Sequence, residues 1–249
     1  MVGLTGGIAT GKSAVSSLLK AKGIPIVDAD ILAREVVAPG TAGLKSIIKA
    51  FGDDILLPDG TLNRKKLGSI IFNDETKRKQ LNGIVHPAVR KAMLWGVFKA
   101  WITGNKLCIL DVPLLIEGGT VNWVGSVVVV HWYALLSHVV LLPRTKCLRS
   151  SPETQLERLM KRDGSTREEA SSRIASQMFI EDKVKYADYP IDNSGSLEQL
   201  TEKVDQLVQT LDSSVGRVWW RLEWICAPLA LLSAAYVLAR KRGRRVKTD

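Results

Sequence analysis

The feature that most constrains the fold is a glycine-rich segment at the start of the chain. Residues 2–18, VGLTGGIATGKSAVSSL, are apolar at first, then rich in glycine, and then spaced like an amphipathic helix. The pattern G-x-x-x-x-G-K-[ST] is matched by Gly6, Gly11, Lys12 and Ser13. Because the pattern here joins a predicted strand to a predicted helix, it favours a phosphate-binding loop over a chance glycine turn.

Each residue type in this loop has a physical reason. Glycines allow backbone conformations closed to other residues and let amide N–H groups approach phosphate oxygens. The helix that follows presents free N–H groups and a positive dipole end to an anion. Lys12 is expected to reach the β- and γ-phosphates of ATP, and the Ser13 hydroxyl to help hold Mg²⁺. The residues predicted to bind the nucleotide are Gly6, Gly7, Ile8, Ala9, Thr10, Gly11, Lys12, Ser13 and Ala14.

Composition narrows the possible partners. The 249 residues are 46% hydrophobic and 24% charged, which is enough to bury a core. The net charge is +10, and the last ten residues hold six basic groups and one acid, a net +5. No nucleic-acid-binding motif accompanies this charge, so we expect no nucleic acid partner. Three scattered cysteines argue against zinc and for a reducing compartment or plain packing. Because the sequence opens directly on a predicted strand, we expect no signal or transit peptide.

Carboxylates end two of the predicted strands. The apolar run 24–27 closes on Asp28 and Asp30, and the apolar run 106–112 includes Asp111. In an extended segment Asp28 and Asp30 would point the same way, so one could serve Mg²⁺ while the other accepts a hydroxyl proton. The alternative for this pair is a helix N-cap. Asp111 is a candidate metal ligand of the Walker-B kind.

Residues 39–100 are polar and helical in pattern, with turn residues between the helices. Helices are expected over 63–71 and 74–85, with lysines and arginines on solvated faces. We predict that this stretch is a helical insertion on the substrate side of the sheet.

Three side chains near this insertion are candidate contacts for a phosphate-bearing substrate. Arg34 follows the carboxylate pair, and His86 and Arg90 lie one turn apart. His86 precedes Pro87 at a predicted helix start, where capping or packing is the alternative role.

The chain returns to strands and then to helices after residue 120. Apolar strands are expected over 124–130 and 189–191, and a closing helix over 197–211. Between them, two helices about a Gly164-Ser165 turn are expected to form a lid over about 152–180, with Arg158 and Arg162 on one face. The alternative is that these arginines only form helical salt pairs.

In their order, these motifs resemble the dephospho-CoA kinase family over residues 1–212, in its eukaryotic type with a C-terminal hydrophobic tail. The matching segments are GLTGGIATGKS at 3–13, DADILAR at 28–34, PDGTLNRKKLGSIIF at 58–72, IVHPAVR at 84–90, DVPLLIE at 111–117, PETQLERLMKRD at 152–163 and IDNSGSLEQL at 191–200. The resemblance implies transfer of the γ-phosphoryl group of ATP to the ribose 3′-hydroxyl of dephospho-CoA, the last step of coenzyme A synthesis. It implies a three-layer α/β P-loop kinase fold with a parallel sheet of about five strands, a helical acceptor-binding insertion and a helical lid.

Matching motifs also imply residue roles. Asp30 would act as the base on the 3′-hydroxyl, and Asn193 would lie near the adenine of ATP. The other candidates for catalysis are Lys12, Arg158 and Arg162. The acceptor-binding candidates are Asp28, Arg34, His86 and Arg90. The metal candidates are Ser13, Asp28 and Asp111.

One segment departs from the family pattern. Residues 131–150, HWYALLSHVVLLPRTKCLRS, separate a strand from a lid that should follow it almost directly. A membrane span over 124–142 would cut the sheet from its lid, and we therefore reject it. We interpret the segment as a retained intron or gene-model error, with an inserted surface loop as the alternative.

The C-terminal stretch 213–249 is a second addition. Its apolar part, 218–239, is long enough to cross a bilayer, but charged residues interrupt its start. Tryptophans and the terminal basic cluster suit a membrane interface with anionic headgroups. We expect a membrane anchor that leaves the kinase on the cytoplasmic face; an interfacial helix or docking on another protein are the alternatives.

Two other functions stay open on the sequence alone. One is a different small-molecule or nucleotide kinase of the same fold. The other is a membrane-tethered ATP-binding protein whose catalysis is impaired by the segment at 131–150.

Overall fold

The structure is a computed structural model, and it describes residues 1–72, 74–132 and 152–214. Side chains that it leaves out within the described helices are those of residues 152–155, 158 and 162. The inserted segment 131–150, beyond its first two residues, and the predicted membrane-contacting segment 218–239 lie outside the described residues. Within the described part of the chain, no helix is both long enough and apolar enough to cross a bilayer.

Five short strands form one sheet. They are β1 (Val2–Gly6), β2 (Ile26–Asp28), β3 (Ile109–Asp111), β4 (Ser126–His131) and β5 (Tyr189–Asp192). Their order is β2-β3-β1-β4-β5, with β1 parallel to both β3 and β4, and β4 parallel to β5. The central strands β1 and β4 are almost wholly buried, as their continuous apolar runs require in a parallel sheet.

Helices make up most of the remaining described chain. They are α1 (Lys12–Ala21), α2 (Ala29–Glu35), α3 (Ala42–Phe51), α4 (Arg64–Phe72), α5 (Glu75–Ile102), α6 (Pro152–Asp163), α7 (Arg167–Ala175), α8 (Ile180–Lys185) and α9 (Leu197–Ser214). The parallel sheet with helices confirms the predicted α/β fold of the P-loop kinase type.

The chain divides into two compact units, 1–26 with 105 onward, and 27–104. In the first unit, helices α1 and α9 pack against each other, and Leu19 and Val204 share one core with Leu4 and Val128 of the sheet. This core fixes the first strand and helix on either side of the glycine-rich loop.

The second unit has its own core. Helices α2, α3 and α4 each pack against α5, and Ile47, Ile55 and Leu67 are the centre of the apolar cluster. Asp74 caps the start of α5 by accepting the Lys77 N–H at 2.9 Å.

Helix α5 corrects one prediction. The expected break before Pro87 is absent, and a single 28-residue helix runs through His86 and Pro87. Pro87 cannot donate to the Gly83 carbonyl, but both residues are exposed, so water can satisfy that carbonyl. Packing against three other helices then favours continuity over the local break.

Two further boundaries differ from the predictions. His131, predicted to start the inserted segment, is the buried last residue of β4 and pairs with Asp192 of β5. Helix α8 was not predicted, because its six residues, IEDKVK, show no apolar stripe of helical length.

Candidate active site

The glycine-rich segment forms the loop that its pattern predicts. Strand β1 ends at Gly6 and helix α1 begins at Lys12, so the loop lies between the sheet and a helix N-terminus. Thr10 closes the turn, since its hydroxyl donates to the Gly7 carbonyl at 2.9 Å. Ala9 has φ of 59°, the left-handed region that costs about 1–2 kcal/mol for a residue with a Cβ. The loop therefore holds local strain beside the site of expected phosphate binding.

Position 11 requires a glycine for two reasons, its backbone conformation and the closeness of Asn193. Its φ is 88°, and a Cβ built on it would lie 2.0 Å from Nδ2 of Asn193. That amide nitrogen donates to the Thr10 carbonyl at 2.9 Å, which ties the turn after β5 to the phosphate loop. Asn193 thus braces the loop, while its predicted contact with adenine stays a prediction.

Lys12 and Asp111 form an ion pair at the end of the loop. The Asp111 side chain is 3% exposed and that of Lys12 is 18% exposed, so the pair is largely shielded from water. Asp111 ends β3, directly beside Leu4 of β1, which explains how a residue distant in sequence reaches the loop lysine. Sequence reasoning selected both residues but did not predict that they pair.

The residues at this loop fit Mg²⁺ bound together with a nucleotide. Asp111 supplies a carboxylate and Ser13, in the first turn of α1, supplies an exposed hydroxyl. Within the described residues, no group of three or more His, Cys, Asp or Glu side chains could hold a metal. Mg²⁺ commonly binds through one or two protein ligands, phosphate oxygens and waters, and this donor set suits that mode.

Helices α6 and α7 form a hairpin that packs on the phosphate loop. Leu156 and Leu159 of α6 and Ala170 of α7 make a small apolar cluster against which Ile8 of the loop packs. Arg173 and Asp163 bridge the two helices, with 2.9 Å between Nη1 and Oδ2. Arg158 and Arg162 lie four residues apart in α6, as predicted. The structure does not describe their side chains, so their role in the lid stays a prediction.

The carboxylate pair in the second unit is arranged differently from the prediction. Asp28 ends β2 and caps α2, its Oδ1 accepting the N–H of Asp30 at 2.8 Å and of Ile31 at 3.1 Å. Asp30 lies in the first turn of α2 and is exposed. The expectation that both side chains share one face of an extended segment is therefore wrong, because the cap begins a helix between them.

The remaining acceptor candidates are exposed in the same unit. Arg34 lies in the last turn of α2, one turn after Asp30. His86 and Arg90 lie on successive turns of α5, and Arg90 Nε donates to the His86 carbonyl oxygen at 3.4 Å. None of the three has its charge or ring buried, so all are accessible to a ligand.

A polar cluster joins the ends of β4 and β5. The Lys203 ammonium donates to the Asp192 carbonyl at 2.6 Å, and His131 Nδ1 lies 4.0 Å from the Asp192 carboxylate. Burial lowers the pKa of His131, and the Lys203 charge acts in the same direction against the opposing effect of Asp192. The imidazole is therefore held neutral over a wider pH range than a free histidine.

Comparison with known proteins decides the family. The model of the family described as dephospho-CoA kinase matches residues 1–199. This chain belongs to the dephospho-CoA kinase family. A dephospho-CoA kinase of Oryza sativa is 44% identical over 211 residues, which cover 85% of this chain and 84% of the relative. One from Listeria monocytogenes is 47% identical over 208 residues, covering 84% of this chain and 95% of the relative.

Solved structures agree with this family assignment. A dephospho-CoA kinase from Campylobacter jejuni superposes with a TM-score of 0.61 at 26% identity, over 86% of this chain and 97% of that one. A protein from Thermus thermophilus superposes with a TM-score of 0.66 at 27% identity, over 87% of this chain and 97% of that one. The predicted fold, family and kinase class are thereby confirmed.

Proposed function

We propose that this member of the dephospho-CoA kinase family transfers the γ-phosphoryl group of ATP to the ribose 3′-hydroxyl of dephospho-CoA. The observation that carries the proposal is the braced phosphate loop with its Lys12–Asp111 pair, in a chain whose relatives are named for this reaction. Phosphoryl transfer of this kind depends on positioning and charge stabilisation more than on covalent chemistry by the protein.

On the nucleotide side, the loop amides and Lys12 bind the phosphates of ATP. Lys12 exchanges part of its contact with Asp111 for the β- and γ-phosphate oxygens. Ser13 and Asp111 would hold Mg²⁺, with Asp28 as a further candidate. The metal, when bound, neutralises charge on the phosphates.

On the acceptor side, Asp30 takes the proton of the 3′-hydroxyl as that oxygen attacks the γ-phosphorus. Its exposure leaves the carboxylate free to approach a substrate hydroxyl. Arg34, His86 and Arg90 bind the phosphates of dephospho-CoA, for which guanidinium groups are suited. Arg158 and Arg162 of the lid neutralise charge on the transferring group.

An acceptor panel tests the proposal. Purified protein is given ATP and Mg²⁺ with dephospho-CoA or with nucleoside monophosphates, and ADP formation is measured. We expect turnover with dephospho-CoA, and loss of about 10²-fold or more in Asp30→Asn. The matched control, Asp54→Asn, changes an exposed carboxylate of the same unit and should keep wild-type turnover. Preferred turnover of a nucleoside monophosphate would favour a different kinase instead.

A second comparison tests the impaired-kinase alternative. Because His131 completes β4, the segment to remove is 133–150 and the strand is left intact. Full-length protein with turnover like that of the deletion variant would contradict impairment, whereas activity seen only after deletion would support it.

We also propose, from the sequence of 218–239, that the chain contacts a membrane and presents its kinase units to the cytoplasm. Flotation with vesicles containing anionic lipid should carry full-length protein but not a variant ending at Ser214. Equal recovery of both proteins in the unbound fraction would contradict the membrane contact.

A further inference from the structure

Helix α8 buries a lysine against the start of the phosphate loop. The Lys183 side chain is 0% exposed, and its Nζ lies 2.9 Å from Glu117 Oε1. The same ammonium donates to the carbonyl oxygens of Gly6 and Pro113, each at 3.4 Å. One carboxylate and two carbonyls thus surround the charge, which burial would otherwise make very costly.

The two carbonyls lie in the two chain segments that carry the Lys12–Asp111 pair. Gly6 ends β1 and begins the phosphate loop, while Pro113 follows Asp111 by two residues. The Pro113 carbonyl also accepts the Thr5 hydroxyl at 2.8 Å. The Lys183 ammonium therefore fixes the backbone that leads into the loop and the backbone that leaves β3.

Glu117 extends this network to the lid hairpin of α6 and α7. Its Oε1 accepts the N–H of Met178 at 3.1 Å, and Met178 lies in the short connection between α7 and α8. Ile8 packs into the hairpin's apolar cluster. The hairpin is thus joined to the phosphate loop at two points, one apolar and one through Glu117 and Lys183.

Stability alone does not require a charge at this position. Replacing a buried ion pair by apolar groups of similar volume is often neutral or stabilising. Burial works to raise the pKa of Glu117, but hydrogen bonds from Lys183 and from backbone amides outweigh it and hold that pKa below its ordinary value. The Glu117 carboxylate is therefore ionised at neutral pH, and Lys183 Nζ is directed at the active-site backbone.

We propose that Lys183 is a positioning residue for phosphoryl transfer, which holds the phosphate loop, the chain after Asp111 and the exit of the lid in one arrangement. The inference rests on the proposed kinase function. Misplacement of reacting groups on the order of 1 Å can lower a rate about 10²-fold. Lys183→Met should therefore lower kcat about 10- to 100-fold, with a smaller change in the KM for ATP.

A double variant separates positioning from folding. Lys183→Met leaves the Glu117 carboxylate, whose side chain is 21% exposed, without its ammonium and should lower the urea midpoint. Lys183→Met/Glu117→Gln removes both charges and should regain most of that midpoint. A positioning role keeps kcat of the double variant 10- to 100-fold below wild type at 25 °C, although the protein is folded. Lys106→Met, which breaks a surface pair with Asp212, is the control and should keep wild-type kcat.

Recovery of both the urea midpoint and kcat to wild-type values in the double variant would overturn the proposal. If neither methionine variant folds, Glu117→Gln decides, since it removes the carboxylate charge that holds Lys183 Nζ while its amide oxygen can still accept from the Met178 N–H. It should lower kcat severalfold, and an unchanged kcat would overturn the proposal. All rates are measured with the acceptor that the wild-type chain uses, so a wrong substrate assignment and a wrong role for Lys183 give different results.

Discussion

Replacing Gly11 with alanine should destabilise the phosphate loop through two separable effects. The first is backbone strain, because φ of 88° costs about 1–2 kcal/mol for a residue with a Cβ. The second is displacement of Asn193, whose Nδ2 lies 2.0 Å from the position of the new Cβ. Losing the hydrogen bond from Asn193 to the Thr10 carbonyl adds about 0.5–1.5 kcal/mol. Gly11→Ala should therefore cost about 1.5–3.5 kcal/mol in the free energy of unfolding.

A double-mutant cycle isolates the second effect. Asn193→Ala alone should cost about 0.5–1.5 kcal/mol, and adding Gly11→Ala to it should cost only the backbone strain. The two changes are then non-additive by about 0.5–1.5 kcal/mol, measured by urea unfolding at 25 °C. Gly23→Ala is the matched control, since Gly23 has φ of 77° but nothing within 4 Å of its Cβ position. Additive costs for Gly11→Ala and Asn193→Ala would show that Asn193 does not brace the loop at Gly11.

Two further predictions concern charged groups. Lys12→Met should lower turnover about 10²–10³-fold, because the lysine contacts the transferring phosphate. It should also lower the free energy of unfolding by about 1–3 kcal/mol, because it removes an ammonium from the buried Asp111 carboxylate. Loss of turnover at unchanged stability would contradict a stabilising role for the Lys12–Asp111 pair. Because the folded-state pKa of His131 lies below its ordinary value of 6.5, its contribution to stability is present above pH 6.5 and is lost as pH falls from there through the lower folded-state pKa. Urea unfolding between pH 7.5 and 5.5 should show this loss of stability, and His131→Gln should make the loss smaller. An equal pH dependence of the free energy of unfolding in both proteins would contradict this role of His131.

The local features of the nucleotide site could be predicted from sequence. The loop from Gly6 to Ser13 follows a fixed spacing, and the strands are continuous apolar runs bounded by turn residues, so local pattern sufficed. Asp111 could be selected because it ends such a run. Its pairing with Lys12 could not, since that depends on β3 lying next to β1 in the sheet.

The errors arise where tertiary packing or capping outweighs local pattern. Pro87 predicts a helix boundary, yet packing of α5 against its neighbours carries the helix through it. Asp28 begins a helix instead of continuing a strand. Lys183 looks like an ordinary solvated charge in the sequence IEDKVK, and only the fold shows that it is buried. A buried charge of this kind has no signature in spacing.

The position of the new phosphate in the product tests the assigned reaction directly. Full-length protein is incubated with ATP, Mg²⁺ and dephospho-CoA, and the product is followed by ³¹P NMR and mass spectrometry, with Lys12→Met as the inactive control. We expect a single new phosphomonoester on the ribose 3′-oxygen, which makes the product identical to coenzyme A, formed as ADP accumulates. ADP formation without that product, or no turnover by chains with and without residues 133–150, would contradict it.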